Sequence, residues 1–280
     1  MRAELVVLLA LLLGACGSTP KPVDPPRLRA ALEAESDGAK RYERGDYVVA
    51  ARRFAEAAKL HASIDDATGV ARNRLHLARV ELVLGRDEIA LALLDATESG
   101  GDPGVALDIR MLKAQAQLGL GRRDAARDSL AAAAALCTGA SPRAASLHLL
   151  QARHALAEKR AADALAHADA ALKLLQGKDD AAEIGNAWRL IAASRHASGD
   201  AAGGLVAART ALDIDRRLAL PEKIARDWLL IGDIQRGQAV AEASAAYRNA
   251  LGVAKAAGLD AITMIAAQAL QDIGMQKKSD

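Results

Sequence analysis

Between residues 27 and 278 the apolar positions recur in pairs of short helical segments, and each pair is broken by a polar turn. The first pair, residues 38–58 (GAKRYERGDYVVAARRFAEAA), sets the pattern: small residues at Gly38, Ala50 and Ala57, bulky ones at Tyr42, Tyr47 and Phe54, and a turn at Gly45-Asp46. Small residues let two helices approach closely and large ones fill the groove between them, so the spacing predicts a helical hairpin. The first-helix small residue recurs at Ala78, Ala114, Ala152, Ala192 and Gly232, at intervals of 40, 36, 38, 40 and 40 residues. Seven residues after each of the first five comes a turn position, at Gly45, Gly85, Gly121, Lys159 and Gly199. Glycine leaves a helix there at little steric cost. The close-contact point of the second helix follows at Ala50, Ala90, Ala126, Ala164 and Gly204, and the next small position at Ala57, Thr97, Ala133, Ala171 and Ala211. The sixth copy, from Gly232 to Tyr247 and Ala250, is expected to be one residue shorter in its turn.

Simple helix composition does not keep such an interval, so the chain is read as all-α, an α-solenoid of about six hairpins over residues 27–280. Asp102-Pro103 and Ser141-Pro142 each place a capping side chain before a proline, and Pro221 opens another helix. Ser63 to Asp66 and the acidic pairs Asp65-Asp66 and Asp179-Asp180 fall ahead of helices, where acidic side chains complement the helix dipole. A solitary segment, 259–275, carries Ile262, Ile265, Ala266, Ala269 and Ile273 on one side and is expected to cap the array, with a polar tail at 276–280.

The hairpins resemble the tetratricopeptide repeat. Gly38, Gly45, Tyr47, Ala50, Phe54 and Ala57 match its pattern in the first copy, and Trp188 with Ile191-Ala192 and Trp228 with Ile231-Gly232 match its opening in the last two. The middle copies keep the small residues and leucine, Ala168 and Ala208 replace the aromatic, and the proline after the second helix is missing. The resemblance implies that the first helix of each hairpin lines a concave, partner-binding face. On those helices one stripe collects Tyr42, Arg72, Arg79, Gln115, Arg153, Arg189, His196, Arg226 and Arg236, together with Glu35, Asp108, Asp233 and leucines at 75, 82, 149 and 156. Arginine beside leucine suits a protein or peptide partner with an acidic amphipathic segment.

The first fifteen residues have the form of an export signal: Arg2, an apolar run at 5–13 too short to span a bilayer, then Leu13-Gly14-Ala15-Cys16. The last four resemble the lipobox of bacterial lipoproteins. That resemblance implies cleavage after Ala15, acylation of Cys16 and, since Gly17 is not Asp, an address at the periplasmic face of the outer membrane of a Gram-negative bacterium. Residues 16–26 then form a lipidated, proline-rich tether, with four of the seven prolines at 17–26.

Composition adds constraints. Hydrophobic residues make up 51% and aromatics only 2%, so small alanine dominates the apolar count and a β-rich core is disfavoured. A net charge of +2 gives no reason to expect nucleic acid. After Cys16 the one remaining cysteine is Cys137, which sits in an alanine-rich helix end and reads as a half-buried small residue. No nucleophile elbow, phosphate loop or metal motif appears; Ser18 to Lys21 reads S-x-x-K without its companion motifs, and no histidine pair has metal-ligand spacing on one helix. His148 is read as core packing. No enzyme and no cofactor beyond the lipid on Cys16 is therefore expected. The reading is an interaction scaffold in envelope assembly, for which tetratricopeptide-like lipoproteins of pilus, outer-membrane protein and peptidoglycan assembly are precedents by resemblance. The alternative is a periplasmic module for a glycan or small solute.

Overall fold

The computed structural model describes residues 25–138 and 141–279, with side chains through Met275. The lipobox cysteine Cys16 and most of the tether lie outside the described residues. Thirteen α-helices and no strand occur among the described residues, and the fold is an α-solenoid of tetratricopeptide-like hairpins. The hairpins are α1 (Pro26–Glu43) with α2 (Tyr47–Ala62), α3 (Ala67–Val83) with α4 (Asp87–Asp95), α5 (Pro103–Gly119) with α6 (Arg123–Leu136), α7 (Ala144–Ala157) with α8 (Ala161–Leu175), α9 (Ala181–Ala197) with α10 (Ala201–Arg217), and α11 (Pro221–Gln235) with α12 (Val240–Ala256). The last helix, α13 (Asp260–Ser279), covers the open end of the array.

The repeat phasing is written in the burial. Ala78, Ala114, Ala152 and Ala192 on first helices and Ala50, Ala90, Ala126 and Ala164 on second helices are all fully buried. In the first and last hairpins the small residue has to be glycine, because an aromatic ring occupies the space a Cβ would need. A Cβ on Gly38 would lie 2.9 Å from Phe54 Cε1, and one on Gly232 would lie 2.5 Å from Tyr247 Cε1. Gly45, Gly85, Gly121 and Gly199 take positive φ in their turns, and Lys159 does so at φ 60 without being glycine.

Five details differ from the sequence reading. In the sixth hairpin it is α11 that gives up residues: the turn itself is longer, four residues at 236–239, with no positive-φ residue in it. Pro142 precedes α7 in a turn, and Ser141 Oγ accepts from Arg143 N at 3.2 Å without opening the helix. Pro26 is already helical, so the tether ends one residue early. The supposed polar tail continues α13 to Ser279, and Ile265, grouped with the buried stripe, is 54% exposed, whereas Ile262, Ala266, Ala269 and Ile273 are buried.

The array curves until its ends meet. The turn at Gly45 lies against Pro221 at the start of α11, where a Cβ on the glycine would stand 3.0 Å from the proline Cγ, and the turn at Gly85 lies against Ala261 in α13. Tyr47, Phe54, Val80 and Leu84 from the first two hairpins share one apolar cluster with Ala225, Ala254, Leu259 and Ile262 from the last hairpin and cap. The superhelix therefore closes on itself in one turn, and its concave face becomes the wall of a central lumen. No described helix is long and apolar enough to cross a membrane.

Candidate functional site

Because successive first helices pack on one another, their inward stripes run side by side around the lumen. Closure brings together groups that are far apart in sequence. Tyr42 of the first hairpin feels Glu222 of the sixth, Arg79 of the second and Glu183 of the fifth. Arg153 of the fourth feels Arg226 and Glu222 of the sixth, Asp87 of the second and Arg189 of the fifth. Burial raises the Tyr42 hydroxyl pKa, and burial followed by the charge of Arg226 lowers that of Arg153 to about 10.

Most stripe arginines are held by carboxylates. Arg72 grips Glu35 with two parallel hydrogen bonds of 2.7 and 2.8 Å, a fork geometry that also engages Asn73 through its bond to the same carboxylate. Arg79 donates to Asp108 at 3.0 Å, and Asp108 also takes a bidentate pair from Arg143. These two cations outweigh the burial that would raise the Asp108 pKa and hold it below the usual carboxylate range. Arg226 is paired with Glu222, one helical turn earlier, and Arg236 lies 3.5 Å from Asp272 of α13.

Arg189 is the centre of a buried triad. It donates to Asp227 Oδ1 at 2.5 Å and to Asp215 Oδ2, and both carboxylates are fully inaccessible. Asp215 Oδ1 and Asp227 Oδ2 then have no donor of their own. One proton shared between them satisfies both oxygens, and burial with the adjacent Asp215 charge pushes Asp227 up to about 7 against the pull of Arg189.

Gln115 and His196 are half-buried and make no side-chain hydrogen bond among the described residues. Tyr42 is 37% exposed and packs edge-on against Tyr47, ring centroids 5.5 Å apart. Leu75, Leu82 and Leu149 are about as buried as core residues, so these leucines pack between repeats and do not face a ligand. Stripe counting gave an excess of arginine because it missed Asp87, Glu183, Asp215, Glu222 and Asp227, which lie off the stripe and reach the same space only through curvature and helix packing. A carboxylate one turn before Arg226, at Glu222, was the one pairing signal available in sequence.

Outside the lumen, the convex side carries a cleft of ≈ 390 Å³ between α10, α11 and α12. Its floor is Leu212, Trp228, Ile231 and Ala246, and Arg216 stacks over the Trp228 ring at 5.0 Å. His148 and His167, on different helices, meet with their Nδ1 atoms 3.2 Å apart. The pairing is invisible at the level of helical spacing, and His148 is half-buried rather than core. Cys137 is half-buried against the apolar cluster of α5, α6 and α7. No group of three or more His, Cys, Asp or Glu among the described residues could hold a metal ion.

The sequence matches no protein-family model and no curated protein. Among solved structures the fold is similar to a Rap protein complexed with competence and sporulation factor, at 13% identity and a TM-score of 0.66, covering 90% of this chain and 72% of that one. It is also similar to aspartyl phosphate phosphatase F from Bacillus subtilis, at 11% identity and 0.53, covering 94% and 86%. A signal transduction ATPase with a tetratricopeptide repeat sensor from Pyrococcus horikoshii gives 15% identity and 0.58; the match covers 88% of this chain but only 40% of that protein. At these identities the likeness establishes the architecture, a tetratricopeptide-like α-solenoid.

Proposed function

We propose that this protein is a non-enzymatic interaction scaffold that holds a peptide or protein segment in its lumen and is anchored to the periplasmic face of the outer membrane by a lipid on Cys16. The observation that carries the binding half is convergence: side chains from the first, second, fourth, fifth and sixth hairpins act on one another across one concave space. A wall of rigid helices presenting mixed polar and charged groups suits an extended segment, whose backbone and alternate side chains can be met from several repeats at once. The similar Rap structure was solved with a bound factor, which agrees with this use of the fold. The anchoring half rests on the Leu13-Gly14-Ala15-Cys16 sequence and the proline-rich stretch behind it.

A photo-crosslinking residue placed at Gln115 in the lumen, and in a separate strain at Arg209 on the convex side, tests the reading in cells. A discrete protein adduct from Gln115 and none from Arg209 is the expected outcome. A protein adduct from Arg209 and none from Gln115 would move the partner to the convex side, and no protein adduct from either position would favour the second reading, a solute- or glycan-binding module, for which the Trp228 cleft supplies an aromatic platform beside Arg216.

A further inference from the structure

Two imidazoles that lie on separate helices meet in the fourth hairpin. His148 of α7 and His167 of α8 stand with their Nδ1 atoms 3.2 Å and their ring centroids 5.4 Å apart. Both residues are half-buried, so the rings are held in place yet can be reached from solvent. His148 takes the repeat position that Trp188 and Trp228 fill in the next two hairpins, four residues before the small residue. That phase turns it away from the lumen stripe, and neither histidine lines the Trp228 cleft.

A neutral pair of this kind is bridged by one proton, which one Nδ1 donates to the other. A metal ion can take the place of that proton. Bonds of about 2.0 to 2.1 Å at a tetrahedral angle put two imidazole nitrogens about 3.3 to 3.4 Å apart, and the observed gap falls within the tolerance of about 0.2 Å for such a site. Each ring has then to carry its proton on Nε2 and to turn about χ2 until both lone pairs meet at one point. Burial, and after it the neighbouring His148, lower the His167 pKa, so that ring is neutral at pH 7. Arg160, which also acts on His167, is held by Glu158 and Asp163 and adds little repulsion toward a cation. One turn along α7 from His148, Gln151 has a buried Oε1 without a donor, a further polar atom on the same side of the helix.

We propose that His148 and His167 form a binding site for a divalent transition-metal ion of the zinc or copper kind, with two imidazole nitrogens from the chain and water in the remaining positions. Imidazole donors favour these ions over magnesium or calcium. Two ligands from one chain make an exchangeable site, and the bound ion ties α7 to α8. The site does not depend on the peptide-binding reading above.

The test uses the full chain, purified in detergent without an affinity tag and with Cys16→Ser and Cys137→Ser so that no thiol competes. It is dialysed against Zn2+ alone and, separately, titrated with Cu2+ alone. A saturable Zn2+ site with one ion per chain is expected, weakened at least about tenfold by His148→Gln and by His167→Gln alike, and changed by less than about twofold in His76→Gln and His196→Gln. Zn2+ should raise the melting temperature of the parent and leave that of either site variant unmoved. The electron paramagnetic resonance spectrum of the Cu2+ form should show splitting from two imidazole nitrogens in the parent and from one in each site variant. Circular dichroism checks that the variants keep the helical fold; where one does not, the copper spectrum of the parent decides alone. The absence of a saturable site, an affinity that survives either substitution, or a copper spectrum without two nitrogens would overturn the proposal.

Discussion

Gly85, in the turn of the second hairpin, lies so close to Ala261 of the last helix that a Cβ on the glycine would stand 2.7 Å from the alanine Cβ. This contact and its neighbour, Gly45 on Pro221, join the two ends of the array. The two residues without side chains leave room for the apolar cluster in which Tyr47, Phe54, Val80 and Leu84 meet Ala225, Ala254, Leu259 and Ile262 across the same seam.

The seam can be tested by filling it. Gly85→Ala combines a positive-φ penalty with overpacking, and about 2 to 4 kcal/mol of destabilisation is expected. Gly121→Ala is the control: its φ is also positive, but a Cβ there meets nothing within 4 Å, and about 1 to 2 kcal/mol is expected. Small-angle scattering should show a larger radius of gyration for the first variant alone. Equal behaviour of the two would mean that the ends do not meet in solution.

The Arg189 triad predicts a pH dependence of definite sign. Asp227 has its pKa raised from 3.8 to about 7 in the folded protein, so between those values the folded state holds a proton that the unfolded state releases. The stability this contributes is present in full below about pH 4 and is lost as pH rises through about 7. Asp227→Asn, whose amide can donate to Asp215 at any pH, should flatten that slope and raise stability at pH 8 by about 1 to 3 kcal/mol. Denaturant titrations at pH 5 and 8 check it; an unchanged slope in the variant would place the titrating group elsewhere.

Gly232 and Tyr247 give a paired test of the helix contact in the sixth hairpin. Gly232→Ala should cost about 1 to 3 kcal/mol through the clash with the tyrosine ring. In a Tyr247→Leu background, where the ring is gone and its hydrogen bond to Asp233 is already lost, the same substitution should cost little or stabilise the helix. An additive double-mutant cycle would contradict the packing described here.

For the anchor, Cys16→Ser is expected to leave unprocessed precursor and abolish stable membrane attachment. Mass spectrometry of the native protein should find acyl chains on Cys16 as the first residue. An unmodified cysteine, or a mature chain starting elsewhere, would remove the lipid from the proposal.

The hairpins, their number and their phase were legible in the residues because helix contact is a local, periodic requirement. A small residue every turn or two at the crossing point, and a glycine where the chain reverses, are conditions that sequence spacing can express. Ala50, Ala126 and Ala192 are fully buried for that reason, and Gly38 and Gly232 are glycine because Phe54 and Tyr247 lie on them. The inward placement of Arg79, Arg153 and Arg189 follows from the same phase. What the spacing could not express is curvature. The curvature of the array is a sum of small packing rotations between successive hairpins, and only that sum decides that Gly85 reaches Ala261, that Gly45 reaches Pro221 and that Asp87 of the second hairpin acts on Arg153 of the fourth. Charge balance followed suit: a stripe that reads as arginine-rich along the helices is nearly neutral in space, because Arg189 meets Asp215 of its own hairpin and Asp227 of the next, Arg226 meets Glu222 on its own helix, and Asp87 and Glu183 act in the same space. Ion pairs depend on distance, and Arg79 with Asp108 or Arg189 with Asp227 are brought together by the packing of neighbouring helices, which residue spacing along one helix does not express.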